Sequence, residues 1–219
     1  MEKEMIQNYA VENSVNVGGI LALFAGRREM KQYNVIYADP PWEYKTYSSK
    51  GKGRSAERHY PTMTLEQIKA LPVADIAADD CTLFMWTTTP LLEDSFAVLH
   101  AWGFQYKTVA FVWVKQNKKS DGLFWGMGHW TRANAEFCIL ATKGRPKRES
   151  ASVHQVIISH IEEHSKKPNE TRERIVKLVG DLPRVELFAR QKADGWDSWG
   201  NEVACDIALD GYQEKREVI

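Results

Sequence analysis

The sequence predicts an α/β domain built on a largely parallel sheet, and three observations carry that prediction. Short apolar runs alternate with segments of helical periodicity along most of the chain. At 219 residues, 43% hydrophobic and 26% charged, there is material for one substantial core and too little for two full domains. Eight Trp, eight Tyr and eight Phe exclude a disordered chain, and no repeat or interdomain linker breaks the pattern. Residues 1–219 are therefore read as one domain, with the first sixteen residues and the tail after Ala208 peripheral.

The elements follow in order. Tyr33 to Ala38 (YNVIYA) is a strand, rich in β-branched and aromatic residues and stopped by Pro40 and Pro41. After a long polar loop, Thr64 caps TLEQIKAL as a short helix with Gln67 at the capping-box position, and Pro72 ends it. Cys81 to Thr87 (CTLFMWT) is a buried strand. From Pro90, LLEDSFAVLHAW repeats apolar residues at helical spacing until Gly103, which makes it a crossover helix. Tyr106 to Lys115 and Ala135 to Lys143 are strands separated by a Gly- and Trp-rich loop, and VHQVIIS adds another. Pro168 and Gly180 bracket the helix in NETRERIVKLVG, and Arg184 to Ala189 is a late strand.

Charge and cysteine content narrow the function classes. Twenty-nine basic side chains balance twenty-nine acidic ones, so no global field draws the protein onto phosphate backbones and any nucleic-acid contact is local. Cys81, Cys138 and Cys205 are too widely spaced for a CxxC ligand pair and odd in number, which fits a reducing cytoplasm better than a disulfide framework. The start lacks a signal-peptide pattern, and the apolar stretch from Val17 to Gly26 falls short of the roughly 20 residues a bilayer span needs. Neither secretion nor membrane insertion is predicted.

The sharpest motif is Asp39-Pro40-Pro41-Trp42, directly after a strand, where ligands bind in open α/β sheets. Taken alone, the tetrapeptide admits a plain strand-ending turn as readily as a site. As a site, it suits one difficult nucleophile. An exocyclic amine on a nucleobase has its lone pair delocalised into the ring, and an acceptor pair aimed at its two N–H bonds favours a more tetrahedral, localised lone pair. The Asp39 carboxylate and the Pro40 carbonyl form such a pair, proline holds the carbonyl rigidly, and Trp42 offers a face for the base.

Five blocks in order add context: YADPPW; HYPTMTLEQIKALPV; LFMWTT with FVWVK; GHWTRANAEFCILATKG; and HSKKPNE with VELFAR and WDSWGNE. The chain resembles, from about Tyr33 to Glu202, the MT-A70 family of adenine N6-methyltransferases, which includes the writer of N6-methyladenine in messenger RNA. The resemblance implies a permuted Rossmann-like methyltransferase with helices on both faces of the sheet, in which the catalytic strand precedes the cofactor-binding one. It implies S-adenosylmethionine as cofactor and a catalytic Asp39-Pro40-Pro41-Trp42 that receives the adenine N6 group, with Asp39 also beside the methionine part of the cofactor. Lys167 matches a lysine bordering both ligands. Glu186, Phe188 and Arg190 match a strand end lining the cofactor pocket, and Asn201 and Glu202 match a pair that bonds its ribose. Tyr60, Trp86 and Trp113 match aromatic positions around a flipped adenine, although core packing explains the two strand tryptophans equally well. Gln191, Lys192 and Ala193 stand where the messenger-RNA writer has proline, histidine and asparagine, Asn169 stands where an acidic residue is common, and no Asp-Ile pair precedes YADPPW. With no zinc-finger region before the domain, a bacterial or phage-type member acting on DNA is the leading expectation. The alternatives are an RNA adenine N6-methyltransferase and a catalytically silent nucleic-acid-binding subunit, and a homo- or heterodimer is compatible with the family.

The basic loop from Lys45 to Arg58, including Lys52 and Arg54, follows the motif directly; a solvated surface loop is the ordinary reading, but the resemblance implies a substrate-gating loop there, and phosphate contact is preferred. For Lys143 to Arg148, phosphate contact and a solvated loop both stay open. His129 and Arg132 in the GHWTRAN loop are further substrate candidates. His160 to His164 fails the HExxH pattern because Ile follows the first histidine, so no metal site is expected. Gly126-Met127-Gly128 fails GxGxxG because Thr131 occupies the third glycine's place.

Overall fold

The computed structural model describes residues 31–43, 62–126, 128, 130–162 and 166–209. The apolar stretch from Val17 to Gly26 and the loop from Lys45 to Arg58 lie outside the described residues. The architecture that follows belongs to the unit Gln32–Ile219.

Seven strands form one sheet: β1 (Tyr33–Ala38), β2 (Ala77–Thr87), β3 (Gln105–Gln116), β4 (Ala135–Lys143), β5 (Val156–His160), β6 (Arg184–Leu187) and β7 (Asp197–Trp199). Their order is β5-β3-β4-β2-β1-β6-β7. Every neighbouring pair is parallel except those of β4, which runs antiparallel to both β2 and β3. The predicted mostly parallel α/β architecture is thus observed, with one reversed strand inserted between β2 and β3.

Among the described residues, the helices are α1 (Leu65–Lys69), α2 (Val73–Ile76), α3 (Leu92–Ala101, entered through a 3₁₀ turn at Thr89–Leu91) and α4 (Glu170–Val179). The capping box of α1 forms as its sequence predicts. Thr64 Oγ1 accepts from the Gln67 N–H at 3.3 Å, and Gln67 Oε1 accepts from the Thr64 N–H at 2.9 Å. At the end of α3, the Gly103 N–H donates to the His100 carbonyl and the Phe104 N–H to that of Leu99, the paired bonds of a Schellman stop. β2 starts at Ala77 rather than Cys81 because α2 runs into it without a break. β7 is too short and polar to carry a propensity signal and is a strand by pairing with β6 alone.

Side-chain alternation divides the sheet into two buried faces. One carries Val35, Tyr37, Phe84, Trp86, Phe111, Trp113 and Cys138, packed with Ile175 and Val179 of α4. Ile36, Leu83, Met85 and Ile139 alternate with these, and Ile68 of α1 and Val98 and Leu99 of α3 are buried outside that cluster. Helices therefore cover both faces. The order places β1 between β2, which continues the chain on one side, and β6, which returns on the other. That is a topological switch point, and the crevice at the carboxyl ends of β1 and β6 is where such sheets bind ligands. Among the described residues, no helix is long and apolar enough to cross a membrane.

Candidate active site

Asp39 is the first residue past β1 at that crevice, and the chain beyond it is fixed by its own backbone. The Trp42 N–H donates to the Pro40 carbonyl at 2.9 Å, the Met63 N–H to the Pro41 carbonyl at 2.8 Å and the Glu43 N–H to the Met63 carbonyl at 3.2 Å. The Pro40 carbonyl thus has one lone pair engaged inside the turn, and Pro40 itself is buried. Trp42 is buried, and its indole N–H donates to the Trp86 carbonyl at 3.3 Å. That bond ties the turn to the end of β2, so Trp42 acts as a buried brace.

The carboxylate of Asp39 ends a line of alternating charges. Lys167 Nζ lies 2.8 Å from Asp39 Oδ2 and 3.3 Å from Glu136 Oε2, and Lys115 pairs with Glu136 from the other side. Burial pushes the Asp39 carboxyl above its usual range, by more than Lys167, and to a lesser degree Arg190, pull it down. Burial works in the same direction on Glu136, but there the two lysines outweigh it and hold the carboxyl below its usual range. Glu136 and Lys115 were not singled out from the sequence. Their signal was a charge at the end of each of two apolar strands, FVWVK and AEFCIL, where a solvated side chain is the ordinary reading.

Trp86 and Trp113 are core residues whose rings lie beside the charge line. Both are buried in an edge-on pair with centroids 6.5 Å apart, and Lys167 lies 5.8 Å from the Trp86 ring centre while Lys115 lies 4.9 Å from that of Trp113. The Trp86 indole N–H donates to the Tyr37 hydroxyl at 2.6 Å. That of Trp113 is buried with no acceptor among the described residues.

The strand end of β6 supplies the other wall. Glu186 lies beside Tyr37 in register and is 8% exposed. It receives both arms of a fork from Arg172 of α4, Nε to Oε2 at 2.7 Å and Nη2 to Oε1 at 2.9 Å. Burial raises its carboxyl by more than Arg172 lowers it. Arg172 also lies 5.9 Å from the Tyr37 ring centre and donates to Asn169 Oδ1 at 3.1 Å. Glu186 is therefore engaged within the fold. Phe188 takes φ 62, a left-handed backbone rare for a non-glycine residue, with its ring edge-on to Trp199 at 5.4 Å. Gly200 passes so close to this strand end that a Cβ would lie 2.1 Å from the Ala189 carbonyl oxygen. The close approach brings the next residues, Asn201 and Glu202, to β6, where Arg190 Nε donates to Glu202 Oε1 at 3.0 Å.

The fold thus gathers Asp39, Pro40, Lys167, Arg190, Glu202 and Asn201 about the ends of β1, β6 and β7, with Glu186 and Trp42 bracing them. Arg132 is used otherwise, donating to the carbonyls of Gly126 at 2.9 Å and Trp125 at 3.1 Å. The loop from Lys143 to Arg148 lies at the opposite end of the sheet, where Arg145, Lys147 and Arg148 join Asn34, Asp80 and Thr82 around a separate cavity. Tyr60, Lys52, Arg54 and His129 lie outside the described residues.

The MT-A70 family model matches residues 33–202. The chain is 40% identical over 190 residues to the type II methyltransferase M.MunI of a Mycoplasma species, covering 79% of this chain and 78% of that protein. It is 29% identical over 174 residues to an MT-A70-like N(6)-adenosine-methyltransferase of Arabidopsis thaliana, and 28% over 176 residues to the human N(6)-adenosine-methyltransferase catalytic subunit METTL3. The matched segment is 24% of the plant protein and 28% of the human one, against 78% of this chain in each case.

Proposed function

The chain belongs to the MT-A70 family of methyltransferases, and from that premise we propose that it transfers a methyl group from S-adenosylmethionine to the N6 amine of adenine in DNA. The observation that carries the reading is the acceptor pair at the switch point: the Asp39 carboxylate and the braced Pro40 carbonyl, adjacent in sequence on one turn at the end of β1. An amine donating one N–H to each is drawn toward a tetrahedral nitrogen before it attacks. Because both acceptors are fixed before substrate arrives, little reorganisation is needed as the transition state forms.

The residues present suit the cofactor's chemistry. Its ribose diol would be held by Glu202 with Asn201, a carboxylate and an amide on an exposed turn. Its methionine portion would lie among Asp39, Lys167 and Arg190, which offer one anion and two cations to a group that carries both charges. When bound, S-adenosylmethionine supplies an electrophilic methyl on a sulfonium. Lys167, tethered to Glu136, holds Asp39 in place for both ligands. The three free thiols, two of them buried, fit a reducing cytoplasm.

Adenine N6 as the target is supported by the N(6)-adenosine-methyltransferases among the relatives. DNA is taken before RNA because identity to the bacterial type II methyltransferase is higher and extends over most of both proteins. Methyl transfer to DNA and to RNA, followed by digestion and nucleoside mass spectrometry, tests the reading. N6-methyldeoxyadenosine from DNA is the expected product. N6-methyladenosine from RNA alone would move the substrate to RNA, and nucleic-acid binding with no methylated nucleoside would leave a silent subunit.

A further inference from the structure

The 18-residue connection between β3 and β4, residues 117–134, exposes aromatic surface that the core does not use. Trp130 is fully exposed and Trp125 more than half exposed. The loop around them is built. Asn134 Nδ2 and the Phe124 N–H donate to the Lys115 carbonyl, each at 2.9 Å, and the Gly126 N–H donates to the Ala133 carbonyl at 2.7 Å. Arg132 adds its two bonds to the carbonyls of Trp125 and Gly126. Gly128 has no room for a side chain, since a Cβ would lie 2.3 Å from the Thr131 carbonyl oxygen, and Trp130 holds φ 62. A strained backbone that presents an indole wholly to water costs stability and gives none back within the fold.

Position and charge identify what the rings meet. β3 runs in the same direction as β1, so the loop leaves the sheet at the rim where Asp39 stands. Its anchor, Lys115, is the far member of the charge line that ends on Asp39. Exposed Lys118 and Lys119 share the loop with a single carboxylate, Asp121. Exposed rings and lysines on one loop suit unpaired nucleotides, whose bases stack and whose phosphates need cations. Contact between copies of the chain fits less well, because interface cores are depleted in lysine.

We infer that Trp125 and Trp130 form a stacking platform for unpaired bases next to the target adenine, with Lys118 and Lys119 against the adjoining phosphates. The inference rests on the nucleic-acid methyltransferase reading and adds where the strand lies. Swinging a base out of a duplex exposes its neighbours, and rings that receive them offset part of that cost.

The test uses the full chain and anisotropy of a fluorescein-labelled single strand of about 20 nucleotides. Trp125→Ala and Trp130→Ala should each weaken binding about tenfold, with Phe at either position restoring most of it. Lys118→Glu with Lys119→Glu should flatten the salt dependence. Strand affinity in the double alanine variant within about twofold of wild type, with circular dichroism unchanged, overturns the inference and leaves the function reading standing. So does a wild-type dimer that the double alanine variant turns into a monomer in sedimentation, since the rings then face a second copy. If wild type methylates neither DNA nor RNA while the double variant still loses strand binding, the platform stands and the function reading fails.

Discussion

Replacing Glu136 with Gln tests the charge line at its middle. The Glu136 side chain is 15% exposed, and its partners Lys167 and Lys115 are 11% and 18% exposed. At 3.3 Å the gross attraction to Lys167 is about 5 kcal/mol at an effective dielectric near 20. Desolvation opposes this, yet the carboxyl is held below its usual range, so the lysines win. Breaking a buried pair from one side costs about 3–5 kcal/mol. Here Lys167 keeps Asp39 at 2.8 Å and the amide still accepts a hydrogen bond, so a loss near the lower end, about 3 kcal/mol, is expected at neutral pH. The sign with pH follows from the lowered carboxyl. Its contribution is complete above the ordinary glutamate value of 4.5 and disappears as pH falls through the depressed value, so the gap between wild type and Glu136→Gln closes in acid. Urea melts of both proteins from about pH 7 to about pH 3.5 measure it. A gap below about 1 kcal/mol at neutral pH, or one constant across the range, would refute the reasoning.

The remaining expectations use turnover and binding. Lys167→Met removes the main cation opposing burial of Asp39, so the acid limb of the rate profile should move to higher pH, whereas Glu136→Gln removes a negative neighbour and should move it lower; a shift of both in one direction would contradict the network. Asn201→Ala and Glu202→Ala should raise the cofactor KM with little change in kcat, because ribose contacts are made equally in ground and transition states, and calorimetry showing unchanged affinity in both would misplace the pocket. Mismatched or single-stranded DNA should be methylated no more slowly than matched duplex, because its adenine is already unpaired. Charge reversal at Lys52 and Arg54 should raise the nucleic-acid KM and flatten its salt dependence without altering cofactor affinity, and unchanged nucleic-acid affinity would remove that loop from the interface.

What the sequence disclosed and what it hid have separate physical origins. β1, β4 and the capping box of α1 were legible because apolar runs, prolines and cap residues act locally. The reversal of β4 was not, because AEFCILATK reads the same in either direction and only partner strands decide it. Asp39 and Pro40 were singled out through a motif of adjacent residues, and Lys167, Arg190 and Glu202 through blocks spread along the chain that the fold brings to one crevice. Glu136, Lys115 and Arg172 escaped because their meaning depends on neighbours far away in sequence: Lys167 is 31 residues from Glu136, and Glu186 is 14 from Arg172. Arg132 read as a substrate cation because the carbonyls it bonds cannot be inferred from residue types.

The central claim, that the carboxylate at the end of β1 receives the amine, is tested most directly by single-turnover methyl transfer in Asp39→Ala with saturating cofactor and DNA. The account predicts a loss on the order of 10²-fold or more in the rate of N6-methyldeoxyadenosine formation, with circular dichroism unchanged, because a preorganised acceptor has been removed from the reacting nitrogen. A folded Asp39→Ala protein that methylates adenine within a few-fold of wild type would contradict it.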